Sequence, residues 1–142
     1  MRYYSCIECR LMIPLLADLP PHSYTCLAEV VQTEARRNTD DEYGVAASVL
    51  NRVASKEFPD TVCSVVYSVG QYEGVLNNYS LKVEPNLVLK LQSPEGQLKI
   101  VEALEVLDGR TDFKGQSMLH NRIVDEDPMF HPEGNFYHYN WQ

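Results

Sequence analysis

Long apolar runs are missing from this 142-residue chain. A bilayer span needs about 20 consecutive apolar residues, and nothing here approaches that length, so no membrane span is expected. Cations are sparse as well: 12 Lys and Arg against 20 Asp and Glu leave a net charge of -8. Clustered basic residues are what phosphate contacts require, so no nucleic-acid partner is expected. The sequence holds no GxSxG elbow, no HExxH, no phosphate loop and no dinucleotide fingerprint. It also lacks internal repeats and low-complexity tracts. The stretch "CRLMIPLLADLPP" is a poor signal segment, because its apolar part is short, Pro14 interrupts it and Glu8 stands where a basic region belongs.

What is present suits one domain, long enough to bury roughly two thirds of its unfolded surface. The question it poses lies in "VVQTEARRN". Leu27, Val30 and Val31 recur at helical spacing, and the next turn of that stripe lands on Glu34. A carboxyl group is thus aimed where core residues usually go. It is either a structural ion pair or a working acid.

Thr25 is placed to cap the helix that carries this stripe, which should end near Arg36, and residues 1–24 read as an N-terminal extension before a domain of residues 25–142. Thr39-Asp40-Asp41-Glu42 has the arrangement of a capping box and announces a second helix. Tyr43, Ala46, Ala47, Leu50 and Val53 follow at helical spacing, and the small residues let another helix approach closely. Asn51 and Arg52 at its end are suited to loop carbonyls and the helix's negative pole. Thr61 to Tyr67 reads as a short helix, with a strand left open by its β-branched residues. Ser68 to Glu84 reads as a surface loop or irregular hairpin near a cleft. Ser93 and Pro94 start a further helix with Leu98, Val101, Leu104 and Leu107 as its packing face, ending at Gly109. Alternation through Phe136 to Trp141 after the turn at Glu133-Gly134-Asn135 suits a terminal strand. The expected class is α+β, mostly helical, with a small hairpin or terminal strand region.

The cysteines admit three readings. Cys6, Cys9, His22 and Cys26 have the spacing C-x2-C-x12-H-x3-C of a small structural zinc site. Reduced buried thiols are the second reading, with Cys63 an inert thiol in an apolar setting, and a disulfide involving Cys26 or Cys63 is the third.

The segments "CLAEVVQTEAR", "GVAASVLNRV" and "FPDTVCSVVYSVGQY" resemble the cell-wall hydrolase family typified by the spore-cortex-lytic enzyme SleB. That family's signature runs EARGE, a small-residue helix ending in LNRV, then FPDTV and GQF. "SMLHNR" is similar to its histidine-containing segment and "GNFYHY" to its closing strand, so the resemblance covers roughly residues 26–139. It implies a compact lysozyme-like domain acting on peptidoglycan glycan strands at the β-1,4 bond between N-acetylmuramic acid and N-acetylglucosamine. Family members are considered lytic transglycosylases.

Carried over by position, the family's catalytic glutamate falls on Glu34. Gln71 and Tyr72 match GQF, where an amide and a ring suit a sugar's acetamido group and apolar face. His120 and Tyr137 are the other implied substrate contacts. No cofactor is expected for catalysis. A second carboxylate, if one serves, is sought among Asp40, Asp41 and Glu42, although Thr39 and Glu42 are better explained as a cap. EARGE reads EARRN here, so Arg37 stands in place of a glycine and Asn38 in place of an acid. That departure motivates one alternative, a catalytically impaired glycan-binding or structural component of a larger particle. The Cys6, Cys9, His22 and Cys26 spacing motivates another, a zinc-stapled interaction module whose N-terminal extension docks on a partner. Without a convincing signal peptide, a phage-delivered or virion-associated enzyme is the favoured origin.

Overall fold

Two prolines start the first helix. Pro21 sits in the first turn, where its fixed φ suits a helix and its missing N–H has no partner to lose. In the computed structural model, which describes residues 16, 19–68, 71–76, 82–115 and 134–139, α1 spans Pro21–Glu34. Thr25 therefore lies inside the helix and caps nothing. Leu27, Val30 and Val31 are fully buried, so the apolar stripe is real, and the helix ends on the glutamate that follows it.

The second helix, α2, spans Asp41–Ala54 and is the centre of the domain, with thirteen of its fourteen residues buried. The expected capping box does not form. Thr39 Oγ1 donates to the Arg36 carbonyl at 2.8 Å and accepts from the Asp41 N–H at 3.3 Å. Glu42 turns inward, fully buried, and pairs with Lys90 and Arg37. Two tertiary cations compete with one backbone N–H for this carboxylate, and the cations win.

Helix α3 (Val62–Val66) is capped by Thr61, whose hydroxyl accepts from the Ser64 N–H at 3.1 Å. The helical reading of this stretch holds. A disulfide joins Cys26 on α1 to Cys63 on α3, and the Tyr67 hydroxyl donates to Glu29 at 2.5 Å across the same interface. A four-residue helix, α4 (Glu73–Leu76), interrupts the stretch read as loop. Helix α5 (Pro85–Gln92) has no counterpart in the sequence reading, although Pro85 at its first turn is an ordinary start signal.

Helix α6 (Pro94–Leu107) follows directly, with Ser93 accepting from the Gly96 N–H as expected. It stops where Asp108 and Gly109 turn left-handed, with φ of 47° and 86°. Its buried face is Ile100, Ala103, Leu104 and Leu107, while Leu98, expected in that face, is 53% exposed. Helix α2 packs against α1, α3 and α6, and α1 also meets α3, α4 and α5. Strands β1 (Asp112–Lys114) and β2 (Phe136–His138) pair antiparallel, Phe113 opposite Tyr137, and β1 lies on α2. Tyr137 and His138 are both buried, so the simple in-and-out alternation fails at this strand. One faces the core and the other the cleft described next. The domain is α+β as expected, mostly helical with one small sheet. Among the described residues no helix is long and apolar enough to cross a membrane.

Candidate active site

Glu34 is the last residue of α1 and opens onto a cleft of about 400 Å³. The walls are Arg52 from the end of α2, Gln71, Tyr72 and Gly74 around α4, Asp112, Phe113 and Lys114 of β1, and His138 of β2. Its position follows from the stripe before it: three buried apolar residues drive α1 into the core, and the next turn emerges at the cleft. The carboxyl is half-buried, and that burial raises its pKa above the ordinary glutamate value of 4.5, because the charged form loses hydration. Among the described residues no ion pair engages it. A Cβ at Gly74 would touch Glu34 Oε2 at 3.5 Å, so a larger residue there would crowd the acid.

Arg52 organises the opposite wall. Its Nε donates to the Thr111 carbonyl at 2.9 Å, Nη1 to Gln71 Oε1 at 2.7 Å and Nη2 to Asp112 Oδ1 at 3.2 Å. Asn51 beside it donates to the Arg110 carbonyl at 2.8 Å. Both residues thus meet loop carbonyls, and Arg52 additionally fixes the cleft. Because Gln71 Oε1 is held by Arg52, the amide NH2 is the end left to face the cleft. Tyr72 has a left-handed φ of 42°, and its ring lies 4.9 Å from the Arg52 guanidinium and stacks on Phe113 at 6.3 Å. Burial pushes its hydroxyl pKa up to about 12. The hydroxyl has no hydrogen-bond partner among the described residues. The ring packs against protein, and the hydroxyl is the group left over.

Three expectations need correcting. Tyr137 is fully buried rather than cleft-lining: its hydroxyl donates to Asp41 Oδ1 at 2.6 Å, and burial beside that carboxylate pushes its pKa well up. Asp41 and Glu42, where a second carboxylate is sought, do not supply one to the cleft. Both are buried, both are engaged, and neither lines the cleft. The second carboxylate of the cleft is Asp112, which sequence reasoning missed; the period-2 pattern of Asp112-Phe113-Lys114 was its only signal, and three residues are too few to read as a strand. The third correction concerns zinc. The Cys26 sulfur is bonded to Cys63, and a disulfide sulfur has no thiolate to give a metal, so Cys26 does not complete a set with His22 in this structure. Cys6, Cys9 and His120 lie outside the described residues, among which no group of three or more potential ligands converges.

A larger apolar groove of about 640 Å³ runs between Leu19, Pro21, Tyr24, Pro94 and Leu98. Among the described residues no carboxyl group lines it. The acid-bearing cleft is therefore the candidate for chemistry.

Comparison with known families decides what kind of protein carries this cleft. Residues 37–138 match the family described as Cell Wall Hydrolase, which is well over half of the chain. The chain belongs to the cell wall hydrolase family. No curated protein and no solved structure matches it. Membership supports action on cell-wall peptidoglycan in general. The matched segment contains Gln71, Tyr72, Asp112 and His138, and it begins three residues after Glu34, whose place in the site rests on the geometry above.

The EARRN departure of this cell wall hydrolase leaves the cleft open. Arg37 points to the other side, pairing with Glu42 at 3.3 Å and with Glu84 at the start of α5. The left-handed residue of the turn is Asn38, with φ of 62°, and asparagine tolerates that conformation far better than arginine would. Neither substitution reaches the walls around Glu34.

Proposed function

We propose that this cell wall hydrolase cleaves the β-1,4 bond between N-acetylmuramic acid and N-acetylglucosamine as a lytic transglycosylase, with Glu34 as its acid and base. The observation that carries the reading is a half-buried carboxyl at the cleft whose raised pKa keeps it protonated further toward neutral pH. Protonated Glu34 donates to the glycosidic oxygen, and the bond to the anomeric carbon breaks. The resulting carboxylate then takes the proton of the muramic 6-hydroxyl as that oxygen bonds to the anomeric carbon. No water is consumed, and Glu34 is protonated again at the end. The Gln71 NH2, turned inward by Arg52, suits the carbonyl oxygen of an acetamido group. The disulfide supports a workplace outside the reducing cytosol.

Asp112 favours a second reading. Hydrolysis needs two carboxyl groups across the scissile bond, and Asp112 is in the same cleft. Its Oδ1 is engaged by Arg52 and by the Thr111 hydroxyl, which suits a wall better than a nucleophile. Digestion of purified peptidoglycan with mass analysis of the products separates the two. Anhydro-muramic ends, lost about 10²- to 10⁴-fold in Glu34→Gln and largely kept in Asp112→Asn, support the transglycosylase. Reducing muramic ends that vanish in both variants support hydrolysis. Binding without cleavage by the wild type would leave a glycan-binding role.

A further inference from the structure

Helices end with unsatisfied carbonyls, and the last one of α1 belongs to Glu34. A donor from the far end of the chain meets it. Asn135, 101 residues away, donates through Nδ2 to the Glu34 carbonyl at 3.0 Å and through the same NH2 to Asp41 Oδ2 at 2.7 Å. Both acceptors lack hydrogens, so the orientation of this amide is dictated by chemistry: its oxygen could face neither.

Asp41 in turn holds the start of the closing strand. Its Oδ1 accepts from the Asn135 backbone N–H at 3.0 Å and from the Tyr137 hydroxyl at 2.6 Å. Gly134 lies so close that a Cβ there would come within 2.6 Å of the Asp41 side chain. The carboxylate is buried at the first turn of α2, where the helix's positive end and three donors replace water. One acid therefore gathers Gly134, Asn135 and Tyr137. One amide passes that anchorage on to Glu34.

We propose that Asp41 and Asn135 are positioning residues for Glu34, Asp41 fixing the Asn135 amide and the amide fixing the end of α1 at the mouth of the cleft. For its activity readout this rests on Glu34 being the acid; for its structural readout it does not. Asp41 is not among the cleft-lining residues, so it touches no substrate there and acts through Asn135.

The test is the exchanged double variant Asp41→Asn with Asn135→Asp. Asn at 41 keeps an oxygen for the strand N–H and the Tyr137 hydroxyl, and its NH2 meets the new carboxylate at 135. The donation to the Glu34 carbonyl is the bond removed. The carboxyl carbon of Glu34 is titrated by NMR in the wild type, in the exchanged variant and in Tyr137→Phe, and peptidoglycan cleavage is measured in parallel. Arg52, Asp112, Lys114 and His138, which share the cleft with Glu34, are unchanged in all three. The expected result is a Glu34 titration that departs from the wild-type one in the exchanged variant, where the carboxylate now at 135 also acts on it, with kcat falling roughly ten- to a hundredfold and KM within about twofold. Tyr137→Phe should lose stability but keep both the titration and kcat. A folded exchanged variant with wild-type titration overturns the proposal, as does a Tyr137→Phe variant that moves the titration equally. Asn135→Ala removes the same donor without adding a charge and must move the titration toward the ordinary glutamate value; it decides alone if the exchange prevents folding. Should the wild type fail to cleave, the activity reading of the site falls and the titration still decides this one.

Discussion

At the scale of single residues, Glu34 connects a helical pattern to a chemical property. Its carboxyl is shifted upward by burial, so the group holds its proton more tightly folded than unfolded. The folded state then binds more protons than the unfolded state between the ordinary glutamate value and the raised one, and stability falls as pH rises through that window. Above it, Glu34→Gln should melt at a higher temperature than the wild type, and below the ordinary glutamate range the two should converge. Thermal melts across pH 3 to 8 check this. The role proposed for Glu34 has a counterpart of the same origin: an acid must be protonated, so on that proposal kcat/KM should fall on the alkaline side as Glu34 ionises. Glu34 was legible because its position depends on a periodicity local to one helix. Asp112 was not, because what makes it a wall residue is Arg52, sixty residues earlier. Tyr137 was misread for a related reason: aromatic residues near a family motif suit a sugar, and only the buried Asp41 shows where this hydroxyl goes.

At the scale of elements, the helices whose signals are local were readable. Ser93 with Pro94 and the small-residue stripe of α2 translate directly into a cap and a close-packed helix. The elements that failed depend on partners. The Thr39 to Glu42 box gave way to Lys90 and Arg37, and the buried face of α6 is rotated from the expected stripe, leaving Leu98 exposed. The disulfide between α1 and α3 belongs at this scale as well, since it closes a loop 37 residues long in sequence separation. On the loop-entropy account its removal should cost roughly 3 to 4 kcal/mol. Denaturant unfolding with and without reductant, and of the Cys26→Ser, Cys63→Ser double variant, should show that loss. An unchanged midpoint would mean that packing of α3 alone fixes the end of α1.

At the scale of the whole molecule, charge is the property that matters. A chain carrying -8 approaches an anionic wall against repulsion, which salt screens over about 8 to 10 Å at ordinary ionic strength. Cleavage of anionic wall preparations should therefore speed up, in kcat/KM more than in kcat, as salt rises from about 10 mM to about 150 mM. Soluble neutral glycan fragments should show little of this effect. Equal salt responses on both substrates would place the rate outside long-range electrostatics.

The sequence by itself determined the helical class, the central small-residue helix and the acid at the end of the first stripe. Each follows from interactions between residues a few positions apart, which periodicity and caps report faithfully. The tertiary structure alone decided that Cys26 pairs with Cys63, that Arg37 turns away from the cleft, that Asp112 enters it, and that Asn135 holds the Glu34 carbonyl. Those outcomes turn on which buried polar groups meet after the chain has folded, and a buried charge or amide is settled by its partners rather than by its neighbours in sequence.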